Sequence, residues 1–268
     1  MRLPCVGEVG VDHYTNLGLL KPGGIAFNVA VNALACGLDV SIVSALGTDP
    51  AGVSMVSLIT DLGLTTENLR RIDGTTARQN IRVEPDGERR FVGYDKGVLT
   101  RWRLTAADVA FIAAHDAIFV PLSDGMEHIF RAVARTPGPA LKAADFSLDY
   151  ELAAYDNDDN LLRRHCGSFD VIFFGGRPRH FPMMESLVAQ HPEKLFVLTL
   201  GAEGAIAFHR GGRHSQPAPT VEAIDTTGCG DAFQAAFLAA YLQTLHVPTA
   251  LAAVVITHLG STTFELAN

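Results

Sequence analysis

The sequence predicts an α/β protein whose central sheet is mostly parallel and carries a small antiparallel flap. Three observations carry that prediction. Short apolar runs rich in Val, Ile and Leu alternate with helical runs along most of the 268 residues, which is the order of βαβ units. One stretch, Thr75 to Gly97, switches to residue-by-residue alternation instead. Glycine-containing turns follow several strand-like runs directly, at the edge where open α/β sheets bind ligands.

Length and charge narrow the function classes. A chain of 268 residues suits one large α/β domain, 1–268, and nothing in it requires a second. The net charge of −8 without a dense Lys/Arg cluster argues against nucleic acid or an anionic membrane as partner, since both need a concentrated positive field. Met1 to Cys5 leads into Val6 without a long apolar leader, and no later run is long enough to span a bilayer, so a soluble cytoplasmic protein is expected. Cys5, Cys36, Cys166 and Cys229 lie far apart, without the paired spacing of a zinc site or a disulfide framework.

Taken in order, Pro4 to Val11 reads as the first strand and delivers Asp12 to its carboxyl end. Asp12 is a candidate to bond a hydroxylated ligand; the alternative is a turn aspartate that caps its own backbone. Gly23 and Gly24 then open an amphipathic helix reaching Leu34, and the paired glycines allow a ligand close to the helix start. Asn28, one turn in, offers a donor and an acceptor to a sugar hydroxyl, or else bonds a neighbouring loop. Val40 to Leu46 is the next strand and ends in Gly47-Thr48-Asp49-Pro50-Ala51-Gly52. The Thr75–Gly97 stretch has Asp86-Gly87 between its two alternating halves, a hairpin signal that marks a flap over a ligand or a second subunit.

Helix and strand then resume. Ala106–Ala114, Met126–Ala134 and Leu161–His165 read as helices, and Ala117–Val120, Ala140–Ala144, Val171–Phe174 and Leu195–Leu200 as strands. The last of these runs into Leu200-Gly201-Ala202-Glu203-Gly204, a glycine-flanked loop suited to nucleotide contacts. The most informative stretch is Asp225-Thr226-Thr227-Gly228-Cys229-Gly230-Asp231, followed by Ala232, Phe233, Ala236, Phe237, Ala240 and Tyr241 at helical spacing. A glycine turn at a helix N-terminus binds phosphate or a developing oxyanion. Asp231 is out of place there unless it takes a proton from an attacking hydroxyl or only caps the helix.

Together, Asp12, Gly23-Gly24 to Asn28, Gly47-x-Asp49-x-x-Gly52, Thr199-Leu200-Gly201-x-x-Gly204 and Asp225-Thr226-x-Gly228-Cys229-Gly230-Asp231 resemble the ribokinase-like (PfkB) carbohydrate kinases over nearly the whole chain. Within that family, the Gly23-Gly24-x-Ala26-x-Asn28 form, Phe91-Val92-Gly93-Tyr94 through Gly97-Val98, and Asp145-Phe146-Ser147 look most like the fructoselysine 6-kinases. The resemblance implies a ribokinase-like three-layer sandwich with a small β lid from residues 11–23 and 75–98, and a homodimer through that lid. It also implies transfer of the γ-phosphoryl group of ATP to a sugar hydroxyl, at the 6-position if the sugar is fructoselysine.

By the same matching, Asp231 is the base, and the N–H groups of Gly228, Cys229 and Gly230 hold charge on the transferring group. Thr199, Gly201 and Gly204 lie along ATP, while Asp12, Gly23, Gly24 and Asn28 bind the sugar. Asp225 and Thr227 hold the loop and, in many members, a monovalent cation such as K⁺.

Two departures stand out. Cys229 replaces the family's usual Ala, and the Asn-x-x-Glu motif that helps place Mg²⁺ is missing near Phe173 to Arg179, which leaves the metal ligands unknown. Three accounts stay open: Arg177 or Arg179 contacts phosphate, water alone holds the magnesium, or the enzyme is weak. A catalytically silent sugar or nucleotide sensor is the competing function. A nicotinamide dehydrogenase is disfavoured, because Gly7-Glu8-Val9-Gly10-Val11-Asp12 is not a Gly-x-Gly-x-x-Gly turn.

Overall fold

The structure, a computed structural model, describes residues 1–84, 89–146, 160–219 and 228–253. In chain order the strands are β1 (Arg2–Val6), β2 (Gly10–Tyr14), β3 (Leu19–Gly23), β4 (Asp39–Gly47), β5 (Leu69–Ile72), β6 (Ala77–Val83) and β7 (Arg89–Asp95). They continue with β8 (Ala117–Pro121), β9 (Leu141–Asp145), β10 (Val171–Gly175), β11 (Leu195–Thr199), β12 (Ala205–His209) and β13 (Gly212–Gln216). The helices are α1 (Ile25–Ala35), α2 (Pro50–Asp61), α3 (Ala106–Ala113), α4 (Glu127–Ala134), α5 (Asn160–His165), α6 (Phe181–Gln190), α7 (Cys229–Thr244) and α8 (Val247–Ala253). None of these helices is long and apolar enough to cross a membrane.

The central sheet runs β13-β12-β11-β10-β9-β8-β1-β4-β5. It is parallel from β5 to β11 and antiparallel only at β12 and β13. Its inner strands, such as β8, β10 and β11, are apolar along most of their length because both faces are covered. Val171, Phe173 and Val197 pack with Phe27, Met55, Phe237 and Leu251 of α1, α2, α7 and α8 on one side. Ile172, Phe174 and Phe196 pack with Ile112, Phe130, Met184 and Leu187 of α3, α4 and α6 on the other. Each fully buried Leu or Phe of these two layers stabilises the fold by roughly 1.5–3 kcal/mol.

A second sheet has the order β3-β2-β6-β7. β2 pairs antiparallel with β3 and parallel with β6, and β6 pairs antiparallel with β7 across a register shift at Asn80/Ile81. The Asp86-Gly87 turn lies outside the described residues.

The expectation of one strand from Pro4 to Val11 is corrected. The chain leaves the central sheet after Val6 and re-enters a strand at Gly10, in the other sheet. Gly7 marks the exit: a Cβ there would stand 2.8 Å from the Pro121 ring. Asp12 therefore lies in the middle of a strand of the small sheet and not just beyond a strand of the large one.

The Gly47–Gly52 turn also continues further than the sequence suggested. Asp49 caps α2, accepting from the Gly52 N–H at 3.0 Å, with Pro50 in the first turn, where its missing N–H costs nothing. The same carboxylate accepts from the Thr76 N–H at 3.1 Å and the Thr76 hydroxyl at 2.5 Å, so it ties α2 to the residue that leads into β6. Burial pushes the Asp49 carboxyl up, and the bonds from Thr76 and Gly52 outweigh it and hold the group below the usual carboxylate range.

Candidate active site

The two stretches that the sequence marks most strongly, 190 and more residues apart, meet where α1 packs on α7. Gly228 precedes α7 in the left-handed region, at φ 74°, and brings no side chain to cap it. That conformation suits glycine, and a helix N-terminus with its dipole favours an anion. Among the described residues nothing stands within 4 Å of where a Cβ at Gly230 would lie. Cys229, its first residue, is exposed.

Asp231 sits at the third position of the helix and so is not its N-cap. It is engaged from another helix: Asn28 Nδ2 donates to Asp231 Oδ2 at 2.7 Å. Asn28 is only 7 % exposed, and its Oδ1 is buried without a hydrogen-bond partner among the described residues. A buried acceptor left unmet costs about 1–3 kcal/mol, and a ligand hydroxyl would meet it. The Asn32 amide donates to Asn28 O at 2.8 Å and steadies that turn of α1.

The small sheet contributes Asp12 beside Gly23. A Cβ on Gly23 would stand 2.5 Å from Asp12 Oδ1, and one on Gly24 would stand 2.6 Å from the Glu8 carbonyl oxygen. The space these glycines leave is thus filled by the protein's own groups, which differs from the ligand approach expected of them. Gly24 also needs φ 101° to start α1, a conformation that other residues avoid.

Glu8 was not singled out by the sequence, although it is the lone charge in a Val-rich run. It accepts from the Ile25 N–H at 3.3 Å and from the Tyr94 hydroxyl at 3.2 Å, linking the start of α1 to β7. Burial pushes its carboxyl up; Ile25, Ser123 and Tyr94 draw it down by hydrogen bonding, and the nearby Asp145 charge raises it. A second link between β7 and the central sheet is the Lys96–Asp124 ion pair at 2.7 Å. Glu8, Ser123 and Asp145 all lie at or just past the carboxyl ends of adjacent strands β1, β8 and β9.

Thr199, Gly201 and Gly204 share one closed loop at that same edge. Leu200 N–H bonds Gly204 O at 2.8 Å, and Gly204 N–H bonds Gly201 O at 3.0 Å. The neighbouring turn after β10 is joined to it through Gly176 N–H and Thr199 O at 2.9 Å. This turn carries Arg177, Arg179 and His180, with no carboxylate. Mg²⁺ prefers carboxylate and water oxygens, so the turn does not fit it. Among the described residues no group of three or more His, Cys, Asp or Glu could hold a metal. Asp225, Thr226 and Thr227 lie outside the described residues.

Comparison with known proteins supplies the family and the fold. A profile of the "pfkB family carbohydrate kinase" family matches residues 9–125 and 182–266. Fructosamine kinase FrlD of Bacillus subtilis (strain 168) is 29 % identical over 247 residues, which cover 90 % of this chain and 84 % of that protein. Fructoselysine 6-kinase of Escherichia coli (strain K12) is 26 % identical over 264 residues, 93 % of each chain. The solved structure of Arabidopsis thaliana ribokinase complexed with ribose and ATP superposes with a TM-score of 0.78, at 19 % identity, covering 97 % of this chain and 94 % of that one.

Proposed function

Since the chain belongs to the pfkB family of carbohydrate kinases, we propose that the junction of α1 and α7 is where it transfers the γ-phosphoryl group of ATP to a sugar hydroxyl. The observation that carries this reading is the 2.7 Å bond from Asn28 to Asp231. It joins a residue suited to holding a sugar to a carboxylate suited to taking the proton, beside a helix start that favours phosphate.

In this reading Asp231 accepts the proton of the attacking hydroxyl, and Asn28 orients the carboxylate while its buried Oδ1 accepts from a sugar hydroxyl. The N–H groups of Gly228, Cys229 and Gly230 receive the charge of the transferring group. Asp12, placed by Gly23, binds the sugar from the small sheet, which acts as a lid. Thr199, Gly201 and Gly204 line the nucleotide. Asp225 and Thr227 complete the phosphate loop and hold K⁺.

The sugar we favour is an amine-bearing ketose of the fructoselysine kind, phosphorylated at its 6-hydroxyl. The two kinases named above support it.

Asp231→Asn tests the reaction. Its turnover should fall roughly 10²–10⁴-fold while ATP affinity stays within a few-fold of the parent, measured by ADP release and by titration. Unchanged turnover would remove Asp231 from the role. A panel of fructosamines, ribose, fructose and nucleosides identifies the substrate; no ADP release on any of them favours the silent sensor instead.

A further inference from the structure

The turn between β10 and α6 holds charge of the opposite sign to that of a magnesium site. From Val171 to Met184 the sequence contains no Asp or Glu, but it contains Arg177, Arg179 and His180. Both arginines are exposed. Their turn lies at the carboxyl edge of the sheet, where Gly175 pairs with Thr199 and Gly176 N–H bonds Thr199 O.

The turn has a firm base. His180 is 7 % exposed and stands edge-on to Phe174 with ring centroids 5.3 Å apart. Its Nδ1 accepts from the Arg177 N–H at 3.1 Å, and Arg179 Nε approaches its Nε2 at 3.4 Å. Gly176 gives the ring its room, because a Cβ there would stand 2.6 Å from Nδ1. Two arginines therefore stand on a braced turn whose backbone is joined to the Thr199–Gly204 loop.

We propose that Arg177 and Arg179 bind the phosphate oxygens of the nucleotide directly and supply charge neutralisation that carboxylate-held magnesium would otherwise organise. The proposal rests on Thr199–Gly204 being the ATP loop. A guanidinium carries five donors in a planar fork that matches phosphate, and it stays charged at any working pH. A carboxylate-free turn with two such groups attracts the polyanionic nucleotide and repels a free divalent cation. The chain then binds metal-free ATP well.

Calorimetric titration of the full chain with ATP, in EDTA and in excess MgCl₂, tests this. The parent should bind metal-free ATP within about tenfold of its affinity for the magnesium complex, in proportion to charge-assisted bonds replacing metal contacts. The exposed double variant Arg177→Gln/Arg179→Gln should lose roughly tenfold per arginine for metal-free ATP. It should lose less for AMP and keep the parent's melting temperature and sugar affinity. Arg177→Lys, which keeps the charge without the fork, should fall between. Parent protein that binds ATP only with magnesium, or a double variant indistinguishable from it, overturns the assignment to the arginines. A chain that binds ATP in neither buffer overturns the kinase reading and this one with it.

Discussion

Glu8 shows how one side chain can hold both a structural and an electrostatic role. It anchors Tyr94 and the first N–H of α1, and burial raises its pKa. A carboxyl whose folded pKa exceeds its unfolded value contributes stability that is full below the unfolded pKa and is lost as pH rises through the folded one. Glu8→Gln removes that loss. Thermal melts from pH 4 to 9 should show parent and variant converging in acid and the variant more stable at alkaline pH; parallel curves would contradict this. At this scale the sequence marked Asn28 and Asp231 separately, an amide and a carboxylate at two helix starts, but not their bond to each other, which joins positions 203 apart. It left open whether Asp231 was a cap, because only the helix register places it at the third position. Glu8 stayed hidden, for its partners come from 17 and 86 positions away.

Among the elements, β1, β4, β8, β9, β10 and β11 of the central sheet were legible from apolar runs, and α1 and α7 from glycine starts and helical periodicity; the edge strands β5 and β13 were not, since Leu-Arg-Arg-Ile and Gly-Arg-His-Ser-Gln carry no such run. The boundary between β1 and β2 was not, since Val-rich sequence runs through it and the break depends on Pro121 packing against Gly7. Helix α2 was masked by turn-like Gly47–Gly52, whose glycines serve close packing: a Cβ on Gly52 would stand 2.1 Å from Gly47 O. Asp49 is the element-scale hinge, binding α2 to the strand that enters the small sheet. Asp49→Ala removes a cap and two bonds to Thr76, and should cost about 1–3 kcal/mol by chemical denaturation. Because the folded pKa of Asp49 is lowered, its contribution exists above the ordinary aspartate value and is lost as pH falls through the folded one. The gap between parent and variant should therefore narrow in acid, and a gap independent of pH would count against it.

For the whole molecule, the small sheet presents Leu17, Phe91 and Val92 at 60, 38 and 50 % exposure. Such apolar groups on an outlying sheet suit contact with a second copy. Light scattering should give a mass near twice 28.7 kDa, falling to that of one chain in Phe91→Asp/Val92→Asp; a single-chain mass for the parent would refute the pairing. The overall α/β class was readable because period and run length are local properties. How the small sheet docks was not, since it depends on contacts such as Tyr94–Glu8 and Lys96–Asp124 that no local pattern encodes.

The Asn28–Asp231 bond spans 203 positions, with one partner near each end of the chain. During synthesis, α1 and the small sheet leave the ribosome long before α7, so a nascent chain carries Asn28 without Asp231. Closing so long a loop has an entropic cost that only the packed core repays. On the site proposed above, phosphoryl transfer is thereby conditional on synthesis and folding as far as α7, and truncation ahead of α7 should yield a product that does not consume ATP on a bound sugar.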